Sequence, residues 1–389
     1  MSLINIVADE NILLLDEFFN DIAKVTKING RTITAEQVAN ADALVLRSTA
    51  KVSAELLAHS KVQFVGTCTI GVDHLATDYM DAQGIAWRNA PGCNAAGVGD
   101  YAIACLNHAW QTFNIDPRQQ TIGIVGAGNV GGRLAQRLSA AGFKVLQSDP
   151  PKAESMSKAE ADSTGFTDLD TLLRHSQIIC LHTPLTKTGP HATENLLNAK
   201  RIKQLAVGTV IISAGRGEVV DQQALLQRQQ RATDLHLYLD VWQQEPNIDK
   251  ALFDYSHCVT PHIAGHSLEG KMRGTQMIYS DLCDHFNLPA KHKLVDLMPP
   301  PSLTQMQLNA SAKECLRIAC NAVYSLMEDN DRMRRMCDAK DFDELRKNYP
   351  VRREFSSLNL SGITDADTIR MMLGLGFNLD HESAPTNHP

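Results

Sequence analysis

Three residues in the second half of the chain have the chemistry to oxidise a hydroxy acid: Arg216, Glu245 and His262. An imidazole titrates near neutral pH, so His262 can take a hydroxyl proton as a hydride leaves the same carbon. Glu245 can fix the tautomer of that ring and stabilise the imidazolium. Arg216 presents a planar fork of donors to a carboxylate and can polarise the reacting oxygen. Taken singly these residues say little, because a loop histidine is most often a satisfied polar group. Their framing carries the weight. SAGRGEVVD at 213–221, DVWQQEP at 240–246 and TPHIAG at 260–265 follow predicted strands at 209–213, 235–239 and 258–260, and the exits of parallel strands converge on one site. His262 and His266 also have the i, i+4 spacing of a metal pair. Pro261 and Gly265 argue against a regular helix there and no third ligand lies nearby in sequence, so no metal is expected.

The elements that must position this trio include residues 121–151, TIGIVGAGNVGGRLAQRLSAAGFKVLQSDPP. A short β-branched run leads into Gly126-x-Gly128-x-x-Gly131, a helix follows with Val130, Leu134 and Leu138 on one face, and a second strand ends at Asp149, 18 residues after Gly131. Gly126 permits a tight turn, Gly128 lets a pyrophosphate approach the main chain, and Gly131 lets the helix lie close to the sheet. Asp149 suits the ribose hydroxyls of an adenosine and repels a 2′-phosphate. With Pro150 and Pro151 next to it, the unit favours NAD over NADP.

Further predicted elements alternate in the same α/β manner. In the first ninety residues, strands are expected at 3–8, 43–46 and 62–66 and helices at 13–22 and 54–57. Arg47, Ser48 and Thr69 then fall on loops after strand ends, where open α/β sheets place ligands. A long helix is expected at 95–113, a polar segment at 152–170, a strand at 178–182 with Thr183 at its exit, helices at 194–204 and 222–230, and a helix at 265–286. The helices at 95–113 and 265–286 would bridge two domains and make a hinge around a closing cleft. Pro299-Pro-Pro301 marks a linker. Beyond it, 303–380 reads as a third, α+β domain with a helical stretch through Met336, a basic segment at 345–349, a strand at 356–360 and a helix at 366–373. The polar tail from His381 to Pro389 is expected to be disordered.

Composition bounds the partners. The chain has 389 residues, 43% of them hydrophobic, enough for two or three cores. A net charge of −7 gives no electrostatic case for nucleic acid or an anionic membrane surface. The N-terminal run carries no basic leader or small-residue cleavage site, and no apolar run approaches a membrane span, so a cytoplasmic protein is expected. Nine cysteines without a CxxC pair read as reduced core residues.

The order GxGxxG, RGxxVD, DVWxxEP and PHIAG resembles the D-isomer-specific 2-hydroxyacid dehydrogenases over residues 1 to about 290. The resemblance implies a doubly wound nucleotide domain at 95–265 and a flavodoxin-like substrate domain at 1–94 and 266–290. It implies NAD contacts from Gly126, Gly128, Asn129, Val130, Gly131, Asp149, Thr183, Ala214, Arg216, Asp240 and Gly265, with Arg216, Glu245 and His262 as substrate anchor, histidine partner and acid/base. VLRS at 45–48 with Lys51-Val52, APGCNA at 90–95, DPP at 149–151, LRKNY at 345–349 and RREFSSL at 352–358 are similar to one branch of that family. In that branch the substrate is a small phosphorylated hydroxy acid, contacted by Ser48 and Thr69, and the C-terminal domain at 303–380 makes a homodimer. Arg47 is a candidate for the phosphate, as is Arg352 or Arg353 of the partner subunit. His266 stands where the branch commonly has tyrosine and is retained as a substrate candidate through its hydrogen-bonding imidazole. The rival readings are a dehydrogenase of another D-2-hydroxy acid, such as 3-phosphoglycerate, and an NAD-sensing binding protein of the corepressor kind.

Overall fold

The computed structural model describes residues 3–380; the tail at 381–389 lies outside the described residues. The chain divides into two compact units, one of residues 1–94 and 267–300, the other of 95–266 and 301–389. It passes from one unit to the other at 94/95, 266/267 and 300/301.

The first unit is built on a parallel five-stranded sheet in the order β2-β1-β3-β4-β5, the flavodoxin-like arrangement. Its strands are β1 (Ile4–Asp9), β2 (Ala23–Ile28), β3 (Ala43–Leu46), β4 (Phe64–Thr67) and β5 (Ala86–Arg88). The interior strands β3 and β4 are buried along their whole length, as short apolar runs covered on both faces should be. The edge strands β2 and β5 were not apparent from sequence. AKVTKI exposes Lys24 and Lys27, and so carries a solvated edge pattern in place of an apolar run. The helix Leu268–His285 packs Ile278, Tyr279 and Leu282 on one face of this sheet, and Ser267 caps it by accepting from the Gly270 amide.

The second unit carries a parallel six-stranded sheet in the order β11-β10-β9-β8-β6-β7. Here β6 is Thr121–Val125, β7 Lys144–Ser148, β8 Ile178–Leu181, β9 Val210–Ser213, β10 His236–Leu239 and β11 Cys258–Val259. Strand order reverses at β6, and that switch point is where doubly wound sheets bind ligands. The helix Ala95–Phe113 lies wholly within this unit, with both its polar Asp100 and most of its apolar residues buried. The segment expected to be merely polar carries short helices at Lys158–Ser163 and Leu169–His175, the latter capped by Asp168. The helix expected from 194 begins only at Ala199, because Asn198 caps it there.

The C-terminal region shares one continuous apolar core with the nucleotide-binding sheet. Cys315, Leu316, Ala319, Phe355, Leu360 and Phe377 lie in the same buried cluster as Tyr101, Leu106, Leu134 and Leu138. It contains a three-stranded parallel sheet, β12 (Gln305–Gln307), β13 (Asn359–Ser361) and β14 (Asn378–Leu379), in the order β12-β13-β14. The expected helical stretch from 303 resolves into β12 and the helices Ala312–Val323 and Leu326–Arg334. The expected strand moves to β13, behind a turn at Phe355–Ser357. Polar stitching reinforces the packing. Arg137 donates to Asp100 Oδ1 at 2.6 Å and to the Leu375 carbonyl, while Asp100 Oδ2 accepts from the Phe355 amide at 2.9 Å.

At the amino ends of β10 and β11, His236, His257 and Phe113 form an aromatic cluster, with His236 stacked on Phe113 at 3.9 Å and 5.0 Å from His257. Burial, then His236, His108 and Arg334, push the His257 imidazole down to about 4. An unfolded histidine binds a proton near 6.5 and this folded one does not, so its contribution is complete above pH 6.5 and is lost as pH falls from 6.5 to 4. The stability gap between the parent and His257→Asn, read as thermal midpoints, is expected to shift against the parent across that window. A gap independent of pH there would show that His257 titrates normally in the folded protein.

Candidate active site

Asp240 closes β10 and its side chain organises the loop after β11. Its Oδ1 accepts from Thr260 Oγ1 at 2.6 Å and from the Ile263 amide at 2.8 Å, and its Oδ2 accepts from the Ala264 amide at 2.9 Å. Its main-chain carbonyl accepts from the His262 amide at 2.8 Å. This grip holds His262 at φ +56°, a left-handed conformation that costs a non-glycine residue about 1–3 kcal/mol and persists only where the surroundings over-determine it. Asp240 is thus occupied with its own loop.

His262 Nδ1 lies 2.7 Å from Glu245 Oε2, and Glu245 Oε1 accepts from the Trp242 amide at 2.9 Å. Burial raises the Glu245 carboxyl, but the His262 charge and hydrogen bond, the Trp242 amide and Arg346 together bring it below its ordinary value. A carboxylate at that position accepts from Nδ1–H and leaves the lone pair on Nε2, the nitrogen that can take a proton. The buried Trp242 joins the loops, its Nε1 donating to the Thr260 carbonyl at 2.9 Å. The loop that carries Arg216 meets the glutamate loop through backbone. A side chain at Gly217 would lie 2.1 Å from the Trp242 carbonyl, so only glycine lets the arginine loop abut the glutamate loop. Arg216 Nη1 donates to the Gly215 carbonyl at 3.0 Å. Trp242, Gly217 and the organising role of Asp240 were not singled out in the sequence; DVW beside an acidic loop was the available signal.

The glycine turn fits a dinucleotide. Gly126 sits at φ +84° with Thr183 where its side chain would be, and at Gly131 a Cβ would lie 2.0 Å from the Gly126 carbonyl. Gly128 instead has open space around it, as approach by a phosphate requires, and Asn129 beside it is exposed. Val130 stands at the N-cap position of the following helix, without a side-chain capping bond. Asp149 Oδ2 accepts from the Ala127 amide at 2.8 Å, joining the acid directly to the turn, and Lys152 Nζ donates to the Ala127 carbonyl at 2.9 Å. Lys152 was not anticipated. Two further polar groups point to an occupant: Thr183 Oγ1 and both ring nitrogens of His182 are buried without a hydrogen-bond partner at the exit of β8. Ala214 follows β9, its amide donating to the Leu181 carbonyl at 3.2 Å, and Gly265 ends the histidine loop.

The remaining candidates are distributed differently. In the first unit Arg47 forks onto the buried Asp9, with Nε 3.2 Å from Oδ2 and Nη2 3.4 Å from Oδ1. Ser48 is exposed beside it, and Thr69 Oγ1 lies 2.9 Å from Thr67 Oγ1, which meets His74 Nε2 at 3.0 Å. Arg47, Ser48 and Thr69 follow β3 and β4, which pair in register with Leu46 opposite Thr67. In the second unit the His266 ring stands edge-on to Tyr349 at 5.6 Å. The expectation that Arg352 or Arg353 reaches a partner's phosphate is corrected for Arg352. Arg352 is 4% exposed and its Nη2 donates to the Gly97 and Ala264 carbonyls of its own chain, so the guanidinium is committed inside this unit. Among the described residues no group of three or more His, Cys, Asp or Glu is arranged to hold a metal ion.

A doubly wound nucleotide domain with an arginine, glutamate and histidine on successive strand exits defines an NAD-dependent dehydrogenase of 2-hydroxy acids. Residues 95–264 match the family described as D-isomer specific 2-hydroxyacid dehydrogenase, NAD binding domain, and residues 297–376 match a domain of unknown function. The chain is 47% identical over 386 residues to erythronate-4-phosphate dehydrogenase of Chromohalobacter salexigens, covering 96% of this chain and 98% of that one. To the enzyme of the same name from Shewanella baltica it is 42% identical, with 96% and 98% covered. The chain belongs to the erythronate-4-phosphate dehydrogenase family. Solved structures share its fold. An NAD+-bound 3-phosphoglycerate dehydrogenase of Entamoeba histolytica matches with a TM-score of 0.62 at 23% identity, covering 74% of this chain and 96% of that one. A D-lactate dehydrogenase of Aquifex aeolicus, complexed with NAD and lactic acid, matches at 0.58 and 22%, covering 73% and 95%.

The Asp240 carboxylate accepts three short bonds with no solvent access. In Asp240→Asn one of its acceptor atoms becomes a donor facing an N–H or O–H. The variant is expected to lose about 2–3 kcal/mol in urea unfolding and to lose turnover in its folded fraction. Parent-like stability would show that the loop is held by other contacts.

Proposed function

We propose that the protein oxidises 4-phospho-D-erythronate at C2, giving (R)-3-hydroxy-2-oxo-4-phosphooxybutanoate, in the biosynthesis of pyridoxal phosphate. The Glu245–His262 pair carries the reading, because the carboxylate fixes the imidazole ring in an orientation for one task, accepting a hydroxyl proton. The relatives' shared name supplies the substrate. NAD, held by Gly126, Gly128, Asn129, Val130, Gly131, Asp149, Thr183, Ala214, Arg216, Asp240 and Gly265, supplies the hydride acceptor when bound. Arg216 takes the substrate carboxylate and polarises the C2 oxygen. His262 Nε2 takes the hydroxyl proton as the C2–H electron pair departs, and Glu245 stabilises the resulting imidazolium through Nδ1–H. Arg47, Ser48, Thr69 and His266 are assigned to the substrate's hydroxyls and phosphate. With Asp9 already across its fork, Arg47 offers the phosphate its remaining donors. The chain acts as a cytoplasmic homodimer through residues 303–380, in keeping with the resemblance of that region to the dimerisation module of the same branch.

His262→Asn is expected to lower kcat on 4-phospho-D-erythronate by about 10²–10⁴-fold while NADH affinity, read by fluorescence titration, stays within about threefold. Near-normal turnover in that variant would overturn the assignment of the base. The parent enzyme should also favour 4-phospho-D-erythronate over 3-phosphoglycerate in kcat/KM, and the reverse preference would transfer the substrate assignment to the shorter acid.

A further inference from the structure

Arg352 is a buried cation whose hydrogen bonds go to main-chain carbonyls in place of carboxylates. Its Nη2 donates to two main-chain carbonyls, Gly97 at 3.2 Å and Ala264, and its guanidinium lies 4.4 Å from the centre of the Tyr324 ring. Its Nε and Nη1 are buried without a hydrogen-bond partner. Burial opposes the charge, but Tyr349, Tyr324, Asp329 and Asp100 outweigh it and raise the guanidinium's pKa above its ordinary value. A cation kept in such a place, at the cost of two nitrogens without partners, has a positional task.

The two carbonyls identify that task. Ala264 is two residues after His262, and its amide is one of those held by the Asp240 carboxylate. The same peptide segment is therefore gripped from both sides, its N–H by Asp240 and its C=O by Arg352. Gly97 and Ala264 also lie within three residues of the points, 94/95 and 266/267, where the chain passes between units. One guanidinium thus ties the start of the helix Ala95–Phe113 to the histidine loop, and it comes from the C-terminal region.

We infer that Arg352 is a positioning residue for the reaction: acting through the Ala264 carbonyl, it helps hold His262 at φ +56°, so the C-terminal region completes the catalytic loop of its own chain. A backbone misplacement of about 1 Å at a reacting group can cost about 10²-fold in rate, whereas the glycine turn is held by separate contacts and, of the residues assigned to NAD, Gly265 adjoins the gripped Ala264 carbonyl. This inference rests on His262 being the base.

The test is Arg352→Ala and Arg352→Lys in the full-length protein, beside His262→Asn. Arg352→Ala is expected to lower kcat by about 10–100-fold with KM and the NADH dissociation constant changed less than about threefold. Guanidinium ion at a sub-denaturing concentration should restore part of that kcat, and Arg352→Lys should fall between alanine and parent. Parent-like kcat, a loss in NADH affinity equal to the loss in kcat, or rescue of thermal stability without rescue of kcat would each overturn it. If the alanine variant does not fold, the lysine variant decides, with kcat counted per NADH-binding molecule; a parent-like value overturns the inference. Near-normal activity of His262→Asn would instead remove the base assignment, whatever Arg352 does.

Discussion

The carboxylate of Asp240 is the fixed point of the site. Buried at the end of β10, it accepts from Thr260, Ile263 and Ala264, and the turn it enforces sets His262 in a conformation that residue would not adopt alone. The pairing of His262 with Glu245 depends on that turn. So does the bond from Trp242 to Thr260, which ties the glutamate loop to the histidine loop. Beside the cofactor contact that the family resemblance implies for Asp240, its three bonds give it a structural duty toward the base.

Two kinds of constraint meet at the nucleotide end. Gly126 and Gly131 are required because backbone and Thr183 occupy the space of a side chain, and Gly128 because space must be left open. Asp149 has a local role as well, accepting from the Ala127 amide, so the acid shapes the turn it accompanies. The unpartnered Thr183 hydroxyl and His182 imidazole mark the site as built for an occupant, since buried polar groups are otherwise satisfied.

The C-terminal region belongs to this chemistry more closely than its position after a proline linker suggests. Its apolar residues complete the core that also contains Leu134 and Leu138 of the nucleotide-binding helix, and Asp100 bonds the Phe355 amide. A sequence domain and a physical unit need not coincide. Residues 297–376 are matched as a domain in sequence, while their packing makes them part of the second unit.

The sequence by itself determined the parallel α/β class, the glycine turn with its acid, and the order of arginine, glutamate and histidine on successive strand exits. These are local patterns: short apolar runs, glycines where no side chain fits, and polar residues just past a strand. It missed β2 and β5, because edge strands such as AKVTKI are too polar to show an apolar run, and it carried the expected 194–204 helix past the Asn198 cap. Only tertiary structure decided that Glu245 meets Nδ1 of His262, that Gly217 must lack a side chain against Trp242, and that Arg352 turns inward to Gly97 and Ala264. Such contacts join residues from 17 to 255 positions apart, and no local pattern encodes which distant backbone a buried donor will find.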